Sequence, residues 1–294
     1  MLADIHWFIW GDLRSDGLKG VNMKKSILIL GMAALASGAF AQVLLGFNTT
    51  YSQNFDGLNN ITGGATSIRD YDASHPTAGM KGWYTGPTSG VLAMNPSTGS
   101  SFVGSAYHFG SSGSAERALG AMNTNSTGRI FHVVRFKNNS STTFNKITVS
   151  YRGEQWRKDS ATADKIDVRI RPLSTTFNTS MVNTTASFSD PIAGLTFNQL
   201  DTTGTTGARD GNATGLNASF SQAITSYTVL SGPAQAVSIA PGQEFLIQWV
   251  DDNAANNDAG MGIDNVEILA VPEPGTMAAI GLGLAALAKR RKKS

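Results

Sequence analysis

Oxygen-donor side chains are concentrated in one short stretch near the end of the chain. Six of eight consecutive positions there carry a carboxylate or a carboxamide: Asp251, Asp252, Asn253, Asn256, Asn257 and Asp258. Hard cations such as Ca²⁺ are bound by roughly six to eight oxygens of this kind. The spacing departs from that of an EF-hand loop, and a run rich in Asn and Asp also makes a good hydrogen-bonded turn. The stretch is therefore compatible with either a calcium site or a turn.

Asp264 adds a second argument for a metal. It alternates in step with Val266 and Ile268, so it faces inward if they do. A buried carboxylate requires a cation or several N–H donors. A shared Ca²⁺ would connect Asp264 to Asp56 and clamp the two ends of the domain. The predicted structural calcium has these candidate ligands, with a hydrogen-bonded turn as the alternative: Asp56, Asp252, Asp258 and Asp264.

A second set of residues has the chemistry of sugar recognition. Arg152, Glu154 and Trp156 alternate along one predicted strand, and Trp83 and Tyr84 offer two more aromatic rings. Such rings can stack on a sugar while charged groups hydrogen-bond its hydroxyls. The hypothesis requires that these rings be exposed on one face or loop rim. The alternative is a strand end with Trp156 in the core or an ion pair at its rim.

Residues suited to catalysis are sparse. The sequence contains no cysteine, no His-Glu-x-x-His and no Gly-x-Ser-x-Gly, which excludes thiol chemistry and removes the usual zinc-protease and hydrolase motifs. Glycoside hydrolysis needs only two carboxylates, but Asp167 in the nearest cluster looks like part of a solvated charged face. The cluster consists of Glu154, Asp164 and Asp167. The three histidines of the segment 42–272 are scattered: His75, His108 and His132. We therefore predict that the protein is not an enzyme.

Short alternating runs dominate the middle of the chain. They lie at 130–136, 145–151, 165–171, 244–250 and 264–270, with weaker candidates at 43–51, 101–109 and 226–230. Alternation between turn residues is typical of antiparallel strands. We expect an all-β fold, an antiparallel β-sandwich without a helix of ordinary length. Long loops are expected at 59–90 and 202–217.

The charge of the middle segment argues against nucleic acid as a partner. The whole chain has a net charge of +2, but residues 42–272 carry 14 Lys and Arg against 17 Asp and Glu, a net charge of −3. The basic character therefore comes from the two ends. A nucleic-acid footprint requires a basic excess on the folded domain, and the composition does not provide one.

The chain ends in three successive segments: a Pro-Glu-Pro-Gly turn at 272–275, a short apolar run to 288, and five cations at 289–293. This order resembles the PEP-CTERM sorting signal of exopolysaccharide-producing Gram-negative bacteria. The resemblance implies that an exosortase recognises and cuts at Pro272, Glu273 and Pro274. It also implies a short transmembrane helix that anchors the protein transiently in the inner membrane, with the cations on the cytoplasmic side.

The other end has the order of a secretory signal peptide. A positive start at 23–25 precedes an apolar run at 26–36, and the small residues Ala39 and Ala41 mark a cleavage site before Gln42. We therefore expect a signal helix at 23–41, recognised by the secretion machinery. Residues 1–22 do not fit a signal peptide, and we interpret them as a disordered, over-extended start.

Three stretches of the middle segment resemble jelly-roll modules of secreted bacterial proteins. They read Asn-Phe-Asp-Gly-Leu at 54–58, Tyr-Arg-Gly-Glu-Gln-Trp-Arg at 151–157, and Trp-Val-Asp-Asp at 249–252 followed by Gly-Ile-Asp-Asn-Val-Glu-Ile at 262–268. The resemblance implies an adhesion or carbohydrate-binding module, often with a structural calcium.

Together these patterns divide the chain into four parts: the start at 1–22, the signal peptide at 23–41, a sandwich domain at 42–270 and the sorting tail at 271–294. We predict an exported protein of the cell surface or exopolysaccharide matrix. Its domain is expected to be a non-catalytic module for extracellular polysaccharide in a biofilm. The alternatives are an extracellular polysaccharide hydrolase and a purely structural matrix protein.

Overall fold

The computed structural model describes residues 42–59, 61–74, 79–160, 163–254 and 258–271. The predicted start, the signal peptide and the tail from Pro272 onward lie outside these ranges, including cleavage-site residues Ala39 and Ala41. Within the described residues, no helix is both long and apolar enough to cross a membrane.

Strands form most of the regular structure. In chain order they are β1 (Val43–Leu45), β2 (Thr50–Gln53), β3 (Gly63–Thr66), β4 (Arg69–Asp70), β5 (Trp83–Pro87), β6 (Leu92–Ser97), β7 (Ser105–Phe109), β8 (Ala118–Met122), β9 (Ile130–Asn138), β10 (Lys146–Lys158), β11 (Lys165–Pro172), β12 (Phe197–Asn198), β13 (Gly207–Ala208), β14 (Asn217–Ile224), β15 (Ser226–Tyr227), β16 (Gln235–Ala236), β17 (Glu244–Asp251) and β18 (Gly260–Val271). A one-turn helix, α1 (Tyr71–Ser74), and 3₁₀ turns at Asp56–Leu58 and Thr179–Met181 lie between them.

The strands form two large sheets. The first has the order β12-β11-β17-β9-β5-β4, with β1 beside β9. The second has the order β13-β10-β18-β8-β7-β6-β3, with β14 beside β10 and β2 beside β18. Among the described strands the pairing is antiparallel except for β1 with β9 and β6 with β7. β15 and β16 form a separate two-stranded ribbon.

The main core lies between the two sheets. Tyr151 of β10 meets Trp249 of β17 edge to face, with ring centroids 6.0 Å apart. Tyr51 of β2 makes a similar contact with Phe136 of β9 at 5.2 Å. Because each of these contacts joins one sheet to the other, the architecture is a sandwich. The prediction of an all-β, mostly antiparallel sandwich is therefore confirmed.

The clearest sequence patterns coincide with strands. The runs predicted at 130–136, 165–171 and 244–250 are β9, β11 and β17, and those at 145–151 and 264–270 lie inside the longer β10 and β18. The weak run at 43–51 is two strands joined by a turn. The expectation of one long loop at 59–90 is wrong, because β3, β4, α1 and β5 form there.

The outer face of the first sheet is covered rather than solvated. A second apolar cluster lies on it, built from strand residues and from the segment that follows β11: Tyr84, Phe131, Val133, Leu173, Phe177, Met181, Val182, Phe188, Leu246 and Val250. The expectation of a solvated charged face at Asp167 is consequently wrong. Asp167 is buried, accepts a hydrogen bond from Thr196 at 2.9 Å and pairs with Lys165 at 2.8 Å.

Candidate functional site

Three carboxylates from different parts of the chain meet on the second sheet. Glu154 lies on β10, Asp264 on β18, and Glu116 just before β8. One oxygen from each lies within 4.8 Å of the others. Two ligands on opposite sides of a Ca²⁺ ion are separated by about twice the 2.3–2.6 Å calcium–oxygen distance, so this spacing suits a single ion. We call these three residues the carboxylate site.

A β-bulge determines where Asp264 points. Between Ser150 and Arg152 of β10, the partner on β18 advances three residues, from Glu267 to Asp264. Asn265 lies in this bulge, and its backbone has a φ of 49°. A bulge of this kind redirects a side chain. Asp264 therefore pairs with Arg152, on the face away from the main core.

The phase inferred from the sequence is accordingly wrong, although the predicted burial is correct. The residues of β18 that enter the main core are Met261, Ile263, Val266, Ile268 and Ala270. That series skips a position at the bulge, so Asp264 does not share the face of Val266 and Ile268. It is nevertheless only 3% exposed.

Each member of the carboxylate site has one oxygen held by a donor and one without a hydrogen bond. Trp156 Nε1 donates to Glu154 Oε2 at 3.0 Å, and Asn265 Nδ2 donates to Asp264 Oδ2 at 2.7 Å. Asn212 Nδ2 donates to Glu116 Oε2 at 2.6 Å. The remaining oxygens are buried and accept no hydrogen bond from the part of the chain that the structure describes: Glu154 Oε1, Asp264 Oδ1 and Glu116 Oε1.

Electrostatics disfavour three negative charges at this place. Burial raises the pKa of Glu154 to about 8, and the charges of Glu116 and Asp264 add to the rise. Burial likewise raises the pKa of Asp264 to about 7. Arg152, whose Nε lies 3.3 Å from Glu154 Oε1, offsets only part of this effect. A bound cation would oppose these shifts, because it favours the ionised carboxylates.

The four metal ligands predicted from the sequence fall in two separate places. Asp56 lies beside the carboxylate site, where its charge raises the pKa of both Glu116 and Asp264. Its oxygens accept hydrogen bonds from the Arg117 main-chain N–H and from the Asn54 side chain. The other two predicted ligands, Asp252 and Asp258, belong to a different acidic group at the end of β17 and the start of β18.

The expectation of exposed aromatic rings is wrong. Trp83, Tyr84 and Trp156 are buried, because each packs into one of the apolar clusters. Trp83 stacks on Trp249 with centroids 5.5 Å apart, and Trp156 stacks on Phe109 at 6.0 Å. None of the three rings can receive a sugar. Glu154 instead belongs to the carboxylate site, and Arg152 lies beside it.

The predicted histidines are scattered, as expected. His132 Nδ1 lies 2.9 Å from the Thr85 hydroxyl inside the sandwich. His108 Nε2 lies 2.6 Å from the main-chain oxygen of Ile61. His75 lies outside the described residues.

A different aromatic residue is exposed, and sequence reasoning missed it. Phe102 is 70% exposed beside the exposed Val103, and the guanidinium of Arg157 lies 5.9 Å from its ring centroid. Ser100, two residues earlier, lines a neighbouring cleft of about 300 Å³. The hydroxyl residues of this cleft are Ser97, Thr98, Ser100, Ser111 and Ser112. The Ser- and Gly-rich runs at 97–101 and 110–114 were the available signal, but no prediction was based on them.

Several solved structures are similar to the chain at low identity. The K3 cleaved adhesin domain of Lys-gingipain from Porphyromonas gingivalis is 13% identical, over 70% of this chain and 98% of the domain, with a TM-score of 0.34. A carbohydrate-binding module studied for specific mannan recognition is 11% identical, over 74% of this chain and 94% of the module, with a TM-score of 0.29. The adhesin domain of Epf from Streptococcus pyogenes is 10% identical, over 78% of this chain and 66% of the Epf chain, with a TM-score of 0.28.

The tail gives a specific match. No curated protein sequence matches the chain. Residues 270–292 match the PEP-CTERM protein-sorting motif, which confirms the resemblance inferred from the turn, the apolar run and the terminal cations. The chain therefore carries a PEP-CTERM sorting motif, which indicates an exported protein sorted to the cell envelope.

Proposed function

We propose that the chain is an exported protein of the cell surface or exopolysaccharide matrix, and that its sandwich is a non-catalytic binding module for polysaccharide. The observation that carries the proposal is the sorting motif at 270–292. In this proposal the secretion machinery exports the chain in a Gram-negative bacterium. The tail holds it transiently in the inner membrane until an exosortase removes the tail at Pro272, Glu273 and Pro274.

The cleft beside Phe102 is the proposed polysaccharide surface. Its five hydroxyl residues can donate to and accept from sugar hydroxyls. Phe102 offers an exposed apolar ring for the face of a sugar. Arg157 connects this ring to the cleft, because it donates a hydrogen bond to the main-chain oxygen of Ser100 at 3.4 Å. Convergent polar groups beside an aromatic ring are typical of ligand sites.

The proposal is tested on a glycan array with the purified exported protein. We expect Phe102→Ala to weaken glycan binding by about 0.5–1.5 kcal/mol, the range found for aromatic contacts. Leu230→Ala is the matched control, because Leu230 is 85% exposed and far from the cleft residues in sequence. Equal glycan binding by the two variants would show that Phe102 is not part of the polysaccharide-binding surface. The absence of glycan binding in the wild type would favour the purely structural role.

A structural Ca²⁺ at the carboxylate site is part of the same proposal. Glu116, Glu154 and Asp264 would hold the ion, with the charge of Asp56 nearby. The ion would join β10, β18 and the segment before β8, and it would pair three buried oxygens that accept no hydrogen bond. An ion bound only by the folded chain stabilises it, by about 2.7 kcal/mol at one hundred times its dissociation constant.

The calcium proposal is tested by thermal unfolding of the full chain. We expect added Ca²⁺ to raise the unfolding temperature and a chelator to lower it. Glu154→Gln should abolish the part of this response that comes from the carboxylate site. If neither added calcium nor chelator changed the unfolding temperature of the wild type, the proposal would be contradicted.

One observation favours a second candidate, an extracellular polysaccharide hydrolase. The carboxylate site contains acids whose raised pKa values suit proton transfer near neutral pH. Against it, Glu154 is fully buried, and a glycosidase must reach the scissile bond with both carboxylates. Release of reducing sugar by the wild type, lost in Glu154→Gln, would establish the hydrolase.

A further inference from the structure

Two buried carboxylates in the second acidic group lack well-formed hydrogen bonds from the described residues. Asp251 is the last residue of β17, and Asp258 lies two residues before β18. Each is only 1% exposed. The side chain of Asn123 lies near Asp251, and the main-chain N–H of Ala254 lies near Asp258. Among the described residues, however, no donor reaches good hydrogen-bond geometry with any of the four carboxylate oxygens. A native protein rarely buries such groups without an ion or ordered water to pair them.

The neighbouring charges are already paired with other groups. Asp252 binds Arg129 at 2.5 Å, and Asp159 binds Arg157 at 2.9 Å. Asp164 accepts main-chain N–H groups on both oxygens, from Lys165 at 2.8 Å and from Ala259 at 2.9 Å. Within the described ranges, no basic side chain forms an ion pair with Asp251 or Asp258.

Asn123 supplies an independent observation. It follows β8 directly and is only 1% exposed. Its Nδ2 donates to the main-chain oxygens of Asp251 and Asp252, at 2.8 Å each, which uses both amide hydrogens. These bonds hold the amide against the Asp251 carboxylate. Its Oδ1 is buried and has no donor.

Protonation accounts for this arrangement less well than a cation does. Burial raises the pKa of Asp251 well above its usual range, and Asp164 and Asp258 add to the rise. Burial also raises the pKa of Asp258, to about 7. Two carboxyl protons could form two hydrogen bonds, which would involve at most four of the five oxygens and would supply no positive charge. A divalent cation contacts several oxygens at once and offsets both negative charges.

We propose that Asp251, Asp258 and the Oδ1 of Asn123 bind a second Ca²⁺ ion, separate from the carboxylate site. Carboxylate and carboxamide oxygens are the ligands that hard cations prefer. The ion joins the end of β17, the approach to β18 and the segment after β8. Through β17, which lies inside the first sheet, it thereby links that sheet to two strands of the second.

The test is the calcium content of the full chain, measured by mass spectrometry after dialysis, together with calcium titration calorimetry. Asp251→Asn is expected to lower the content by one equivalent, and Asp258→Asn to weaken that site at least about tenfold. Asp252→Asn is the matched control, because Asp252 is adjacent but already paired with Arg129. Calcium content that is unchanged in Asp251→Asn would overturn the proposal.

Two further measurements separate this site from the first one and from misfolding. Asp264→Asn should remove the other equivalent and leave the one at Asp251. A wild type whose entire calcium content is lost in Asp264→Asn would also overturn the proposal, whatever happens to the Asp251 variant. Asn123→Ala removes the proposed Oδ1 ligand, and we expect Ca²⁺ binding at this site to weaken at least about tenfold. Unchanged affinity in a folded Asn123→Ala protein would contradict the assignment of Oδ1.

Discussion

His132 lies inside the sandwich with a short chain of hydroxyl partners. Its Nδ1 lies 2.9 Å from the Thr85 hydroxyl, which in turn lies 3.0 Å from the Tyr71 hydroxyl. Burial lowers the pKa of His132 to about 3. The folded chain therefore holds a neutral imidazole at pH values where the unfolded chain, with a His pKa of about 6.5, is protonated.

This difference makes His132 a source of acid sensitivity. Between about pH 6.5 and pH 3, His132 binds a proton in the unfolded state but not in the folded state. The free energy of unfolding should therefore fall as the pH drops through this range, by up to about 1.4 kcal/mol per pH unit. His132→Asn keeps a polar partner for Thr85 and should remove that slope. Urea unfolding at several pH values would show it, and parallel curves for the two proteins would contradict the prediction.

Gly99 is required by a close approach of two backbones. It has a φ of +82°, and a Cβ atom there would lie 1.7 Å from the main-chain oxygen of Trp156. Gly113 has a similar φ of +79° but nothing within 4 Å, so it is a matched control for backbone strain. We expect Gly113→Ala to cost about 1–2 kcal/mol of stability, the cost of the left-handed conformation. Gly99→Ala should cost clearly more, by about 1–3 kcal/mol, from the clash. Equal urea midpoints would contradict the assignment.

At the residue scale, sequence patterns predicted whether a side chain is buried better than they predicted the face of the sheet to which it points. The alternation around Asp264 indicated a buried carboxylate near Asp56, and the structure brings the two together. It could not predict the bulge at Asn265, because one extra residue in a strand leaves no mark on composition. Glu116 was missed since it comes from a loop, and Trp83 could not be placed because distant segments decide whether a strand face is covered.

β18 is the strand on which the second sheet depends. It pairs with β10, β8 and β2, and its buried side chains enter the main core. Ile268 is fully buried, whereas its neighbour Glu267 is exposed. We expect Ile268→Ala to cost about 2–5 kcal/mol, from lost burial and the cavity left behind. Glu267→Ala should change stability by less than about 0.5 kcal/mol. Similar urea midpoints for the two variants would mean that β18 does not pack as described.

At the element scale, the strands that could be predicted are those with a clear period of two or a long apolar run. β11 was found because charged residues alternate with Ile166, Val168 and Ile170. β9 and β17 are buried on both faces and were found as long runs rich in apolar residues. β5 and β8 were missed because every residue in them is buried, so no alternation is visible. β14 was missed for the opposite reason, since seven of its eight residues are at least partly exposed and its composition is polar.

At the scale of the whole molecule, one feature indicates an exported protein and another argues against nucleic acid as its partner. The sorting motif covers only residues 270–292, and the sandwich before it has no basic excess to suggest nucleic acid. The two proposed calcium ions would add cross-links to a chain without cysteine, which has no disulfide to hold its sheets together. In a chain that depends on export, such links would form where calcium is more abundant than in the cytosol.

The sorting motif makes a direct prediction about processing. Glu273 lies between two prolines ahead of the apolar run, where the proposed exosortase would bind. Proline disfavours helix, so the sequence predicts a turn at this point. We expect Glu273→Ala to leave the tail attached, so that the protein stays in the membrane fraction with its cationic end intact. Mass spectrometry of the C-terminal peptide would show the difference, with Glu267→Ala as a control on the folded domain. If Glu273→Ala lost its tail as completely as the control, the acidic residue would not be recognised, and the processing step would have to depend on the apolar run and the cations alone.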